Sequence, residues 1–225
     1  MLVEGGFGHY NSFNETFSGD VSAKGDINYF GVGLFAKHDF DVTARGNAYV
    51  DGSIRIGHAN RDYASENVVQ GSSTSYSAGS GYMSAHATAG YKWNVTKETK
   101  LDAYVKYLWA RQSGDTVQAA GSTIDFDALN SHRLRAGFRF TQDINECVKR
   151  YAGLAYEYEF DAKAGGTVDG YAMESPELKG GSVMGELGVK FKPSKTSPWD
   201  FNFALQGFTG KRESIGAVLG AKYEF

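Results

Sequence analysis

Apolar and polar side chains alternate with a period of two in segment after segment of this chain, a pattern that fits strands with one apolar face and little else. In the last segment Ile215, Ala217, Leu219, Ala221, Tyr223 and Phe225 fall on one face, with Ser214, Gly216, Val218, Gly220, Lys222 and Glu224 opposite. Trp199, Phe201, Phe203 and Leu205 repeat the pattern, as do Val183, Leu187, Val189 and Phe191. Further upstream it returns in Ala152, Leu154, Tyr156, Tyr158 and Phe160, and again in Leu134, Ala136, Phe138 and Phe140. The N-terminal half carries it in Leu101 to Trp109 and Met83 to Trp93, and more weakly in Ala48 to Ile56, Phe30 to Phe40 and Val3 to Tyr10.

About ten strands of roughly 9–13 residues result, the length that crosses a bilayer at a tilt of ~45°. Mean hydropathy is −0.39 and no run of 18 apolar residues occurs, which excludes transmembrane helices. A membrane barrel remains compatible with that value, because lumen-facing polar residues dilute the lipid-facing ones. The 23 Lys and Arg nearly balance the 26 Asp and Glu, with no basic block, so a nucleic-acid partner has no electrostatic support. Residues 1–6 lack the basic start and apolar stretch of a signal peptide, so any export signal is expected upstream or already removed. The lone Cys147 excludes an internal disulfide and reads as a small buried or turn residue.

The links between strands carry separate information. Long ones, near 11–28, 59–81, 113–131 and 162–182, alternate with short ones near 41–44, 95–99, 142–147 and 193–198, and only the last, 210–213, is short where a long one is due. A soluble sandwich or lipocalin has no reason to gather its long loops at one end, whereas outer-membrane barrels pair tight periplasmic turns with long extracellular loops. Tyr91, Trp93, Tyr107, Trp109 and Tyr223 sit near strand ends, as interfacial girdles require. A soluble barrel would turn its charged face outward; the continuity of the apolar face favours lipid on that side. The expected fold is therefore all-β, an antiparallel transmembrane β-barrel of about ten strands, forming one unit over residues 1–225.

Several stretches resemble the C-terminal β-domain of autotransporters: DALNSHRLRAGFRF (127–140), YAGLAYEYEFDA (151–162), PELKGGSVMGELGVKF (176–191) and QGFTGKRESIGAVLGAKYEF (206–225). Upstream, VEGGFGHY (3–10), YKWN (91–94) and YVKYLWARQSG (104–114) fit as well, so the resemblance spans nearly the whole chain. It implies a translocator and anchor in the outer membrane of a Gram-negative bacterium, part of type V secretion, in which a passenger precedes a twelve-stranded barrel and a helix threads the lumen. This sequence opens on what looks like the family's third strand, without passenger, linker helix or the first two strands. It is read either as a fragment or as a shorter ten-stranded barrel. The implied partners are outer-membrane lipid, the barrel assembly machinery and a passenger polypeptide, with the barrel itself a monomer. Tyr223 and Phe225 would then form a terminal signature read by the assembly machinery; the other reading of Phe225 is an ordinary strand-end aromatic at the periplasmic interface. A second functional reading is a small stand-alone porin-like or adhesin-like barrel that binds ligands through its long loops.

One constellation carries chemistry. Arg133, Arg135 and Arg139 on one strand face Glu157, Glu159 and Asp161 on the next, with Glu186 one strand further and Lys106 one strand before. Opposite charges on neighbouring strands support pairing and register. The network either holds a hydrated lumen together or steers a polypeptide or solute through it. Some ten-stranded outer-membrane barrels, the omptin proteases, use Asp pairs and a His-Asp pair at the rim. Here the one adjacent His-Asp, His38-Asp39, falls at the periplasmic end, and no Asp-Asp pair exists. His9, His38, His58, His86 and His132 lie on separate strands, so no metal site is proposed. No P-loop or dinucleotide fingerprint occurs, and the chain is expected to be neither an enzyme nor a cofactor carrier.

Overall fold

The computed structural model describes residues 1–16, 19–40, 43–69, 72–173, 175 and 177–223. Ten long strands follow one another as an antiparallel meander: β1 (Leu2–Thr16), β2 (Gly19–Phe40), β3 (Gly46–Val69), β4 (Ser72–Asn94), β5 (Thr99–Gln112), β8 (Leu129–Asp143), β9 (Val148–Glu159), β12 (Gly180–Phe191), β13 (Trp199–Gly210) and β14 (Ser214–Tyr223). Four short strands, β6 (Asp115–Ala119), β7 (Ser122–Phe126), β10 (Gly166–Val168) and β11 (Tyr171–Ala172), form a second sheet in the order β11-β10-β7-β6. Nothing helical occurs among the described residues.

The period-two reading underestimates the strands at one end. The links expected at 11–28 and 59–81 are ladder: β1 and β2 pair without a break from Leu2↔Gly33 to Thr16↔Gly19, and β3 and β4 from Gly46↔Trp93 to Val69↔Ser72 with one irregularity after Glu66. Alternation of polarity marks only strands with one apolar face, and a ladder standing in water needs none. At 22 to 24 residues, β2 to β4 far exceed the ~9–11 that suffice to cross hydrocarbon.

The links near 113–131 and 162–182 contribute the small sheet. Its hairpins turn at Ala120-Gly121 (φ 52° and 83°) and Asp169-Gly170 (φ 49° and 85°), pairs of left-handed residues of the kind that two-residue turns require. Asp169 Oδ1 accepts the Thr123 backbone N–H at 2.8 Å, tying the two loops together and holding that carboxyl below its ordinary range. The sheet leans on the β4 extension, where Asp115 accepts the Gly79 N–H at 2.7 Å and the Phe126 ring lies 5.9 Å from Tyr76.

Burial is inverted relative to a soluble domain. Leu154, Leu187 and Leu219 face outward at 48%, 64% and 82% exposure, while Glu157 and Glu186 face inward at 3% and 4%. Aromatic rings collect at the short-turn end, where Trp199 meets Tyr223 at 5.0 Å and Phe191 stacks on Phe201 at 5.1 Å. Cys147 lies in the turn before β9, where Asn145 Oδ1 accepts its backbone N–H at 2.9 Å.

A closed barrel pairs its last strand with its first, so that no edge is left. Among the described residues the ladders pair β14 with β13 and β1 with β2, and β1 and β14 stand at the two ends of the strand order. Phe225 lies outside the described residues.

The outward apolar face makes a direct prediction. Leu154→Arg should cost roughly 2–4 kcal/mol near the bilayer midplane, and Lys106→Ala on the inner face far less, measured by guanidinium unfolding in lipid vesicles. Recovery of folded protein from aqueous buffer without detergent would overturn the assignment of lipid to that face.

Candidate functional site

The inner wall from β5 to β13 is set by register. Arg133 pairs with Glu159 and Arg135 with Glu157 across β8 and β9, while Ser182 and Gly153 stand opposite Glu157 and Glu186 across β9 and β12. Glu157 is the centre. Its Oε2 accepts Arg135 Nε at 2.8 Å and Nη2 at 2.5 Å, and its Oε1 lies 3.4 Å from Arg133 Nη1 and 3.6 Å from Arg212 Nη1. Three guanidiniums thus share one carboxylate that water scarcely reaches.

Glu159 serves the upper rim instead. It accepts the Ser131 hydroxyl at 2.5 Å and the His132 N–H at 2.8 Å, with Arg133 Nε at 3.7 Å. Arg139 reaches over β9 to Glu186, Nε to Oε1 at 2.6 Å, although the two strands are not neighbours. Gly153 makes this possible: a Cβ there would stand 2.5 Å from Glu186 Oε1. The Arg139 guanidinium also covers the Tyr151 ring at 4.9 Å, and Tyr151 in turn lies on Gly188, where a Cβ would be 2.2 Å from the ring.

Two expected members stand apart. Lys106 is in register with Arg135, a like charge, and no carboxylate lies within ion-pair distance of it among the described residues. Asp161 follows the end of β9, exposed, and its contact with the cluster is a backbone N–H donated to Glu159 at 3.1 Å.

Arg212 escapes a reading based on strand periodicity because it belongs to the β13–β14 turn. Its guanidinium folds inward over the Phe208 ring at 4.1 Å, and its backbone N–H is donated to Ser182 Oγ at 2.8 Å. The β13–β14 link thereby covers a cavity of 220 Å³ lined by Ser131, Arg133, Glu157, Glu159, Ser182 and Arg212. The anomalous length of that link was the available signal.

The opposite wall holds a second polar region. Glu4 accepts Tyr82 at 2.8 Å and Arg55 at 3.0 Å, Asp102 accepts the Tyr49 hydroxyl at 3.0 Å, and Asp39 is shared by Lys37 and Lys92. His38 turns away from this wall and packs edge-on against Phe40 at 4.5 Å, so the adjacent His38-Asp39 pair builds no site.

An outward apolar band, aromatic strand ends and a charged inner wall on a curled antiparallel sheet define a protein of the outer-membrane barrel class. The autotransporter β-domain family model matches residues 2–204, and the chain belongs to that family, whose domains act as outer-membrane translocators for a passenger. The chain is similar to the β-domain of the Bordetella autotransporter BrkA, with 18% identity, coverage of 99% of this chain and 91% of that one, and a TM-score of 0.64. It is also similar to the translocator domain of the autotransporter NalP from Neisseria meningitidis, with 12% identity, coverage of 99% and 80%, and a TM-score of 0.61. At these identities the likeness is one of fold. No curated protein matches the sequence.

Buried charges make the cluster sensitive to its sole shared anion. Glu157→Ala should destabilise the domain by about 3–5 kcal/mol, since it leaves inward-facing guanidiniums without a counter-charge. Arg212→Ala, at a side chain 42% exposed, should cost about 0–1 kcal/mol. A double-mutant cycle of Arg135 with Glu157, read by denaturant unfolding in detergent, should give a coupling on the order of 0.5–3 kcal/mol. A coupling near zero removes the pair from the network.

Proposed function

We propose that residues 1–225 form one outer-membrane module that anchors and exports an N-terminal passenger, with the charged inner wall guiding the polypeptide. The observation that carries this reading is the family match over 2–204, on a chain whose large apolar side chains face outward and whose carboxylates and guanidiniums face inward. Its partners are outer-membrane lipid around the apolar band, the barrel assembly machinery, and the passenger. The barrel acts as a monomer in a Gram-negative outer membrane.

Electrostatics fits a guiding role better than a sealed one. Lys106 and Arg135 stand side by side, and neither Lys106 nor Lys190 has a carboxylate within ion-pair distance among the described residues, so cationic groups remain for acidic or carbonyl-rich segments. The test is surface display. A tagged passenger fused ahead of Met1 should become protease-accessible on intact cells, and retention in the periplasm beside a heat-modifiable barrel would reject the export role.

The terminal aromatic makes a second test. The strand β14 exposes one edge, and Tyr223 anchors its end against Trp199 at 5.0 Å. Deleting Phe225 should lower the folded, heat-modifiable fraction in cells markedly and much less when purified chain refolds in detergent. Unchanged assembly in cells would reject recognition by the assembly machinery, and equal losses in both settings would assign Phe225 to packing alone.

A further inference from the structure

On the wall formed by β3 and β4, three side chains from two strands meet in a chemically specific order. Ser53 Oγ lies 2.7 Å from His86 Nδ1, and His86 Nε2 lies 3.1 Å from Asp51 Oδ1. Asp51 and Ser53 share the inner face of β3, two residues apart, and Ser53 is directly in register with His86. All three are largely enclosed: Ser53 is 6% exposed, and the His86 and Asp51 side chains 9% and 14%.

The direction of these hydrogen bonds is fixed by Arg55. Its Nε donates to Ser53 Oγ at 3.2 Å and its Nη2 contacts His86 Nδ1 at 3.2 Å, while Nη1 is held by Glu4 at 3.0 Å. A guanidinium only donates, so Nδ1 must be the accepting nitrogen and the imidazole proton sits on Nε2, pointing at Asp51. The serine oxygen already accepts from Arg55, and its own proton is directed at Nδ1 over the shorter contact, 2.7 Å against 3.2 Å, sharing that nitrogen's lone pair with Arg55 Nη2. The chain runs Arg55 to Ser53 to His86 to Asp51, the polarity that a base-activated nucleophile requires, with Asp51 as the positioning residue.

We propose that Ser53 is a nucleophile for carboxylic esters admitted to the lumen, with His86 as its general base. Ser53 Oγ bonds to the carbonyl carbon while its proton passes to His86 Nδ1. The carbonyl electron pair moves onto oxygen, and Arg55 Nη2, released from His86 Nδ1 as that nitrogen takes the proton, is the donor offered to the developing charge. Collapse breaks the ester C–O bond, and the departing alkoxide takes the proton from Nδ1 and leaves as an alcohol. Water then repeats the sequence on the acyl-serine, releasing the carboxylic acid and restoring Ser53. Phe35, opposite Ser53 in register and 6.4 Å from the His86 ring, offers an apolar wall for the acyl group. This chemistry is independent of passenger export.

A fluorophosphonate probe tests it on the full chain in outer membranes, since attack by Ser53 forms an O–P bond and expels fluoride. Mass spectrometry of heat-modifiable protein should place the adduct on Ser53, absent in Ser53→Ala. His86→Gln should slow labelling by on the order of 10³-fold, and Asp51→Asn by at least about tenfold, with the folded fraction unchanged. No adduct on Ser53 of the folded wild-type protein, or an undiminished rate in folded His86→Gln, would overturn the proposal.

Discussion

A strand crossing hydrocarbon has no water to hydrogen-bond, so each backbone N–H and C=O must find its partner on the neighbouring strand. Continuity of the ladder therefore takes precedence over every side chain, and the registers here run unbroken through the apolar band from β1 to β14. The irregularity between β3 and β4 falls after Glu66, in the part of the hairpin furthest from the short-turn end, where water can satisfy what the ladder drops. The same constraint explains why a membrane barrel closes its ladder at both ends, since each unpaired backbone group facing lipid would cost several kcal/mol.

With the backbone satisfied and the outside given to lipid, chemistry is confined to the inner face. There the wall must hold long polar side chains at close quarters, and glycine supplies the space. Tyr49 lies on Gly90, Tyr151 on Gly188, and Glu186 fills the place of a side chain at Gly153. The last case lets Arg139 and Glu186 bind across an intervening strand, a contact that nearest-neighbour pairing rules do not contain.

Much of this was legible in the sequence because lipid on one side imposes a period of two. All ten long strands and the outward face of their apolar stripes follow from it, whereas Phe35 and Phe208 stand on the inner face. Wherever that imposition lapsed, the reading lost its footing. The extensions of β1 to β4 lack a sustained alternation and read as loops, as does the small sheet, whose turns are at Ala120-Gly121 and Asp169-Gly170. Lys106 was assigned to a network of opposite charges by its face alone, whereas its register neighbour is Arg135. Asp161 continued the alternation one step beyond the strand that supported it.

Ser53 and His86 mark a deeper limit. Adjacency in sequence reveals only neighbouring pairs, whereas antiparallel register joins positions 33 residues apart as readily. The two walls also use their polar groups differently. Around Glu157 several guanidiniums crowd one carboxylate, and attraction of opposite charges holds them without a preferred direction. Around Ser53 a donor-only guanidinium at one end and an acceptor-only carboxylate at the other leave the intervening hydroxyl and imidazole a single arrangement of protons. A wall of the first kind tolerates exchange among its cations without losing its hold on the carboxylate. One of the second kind holds a proton where a reaction can use it, and the fold that builds both needs no element beyond the inner face of a continuous ladder.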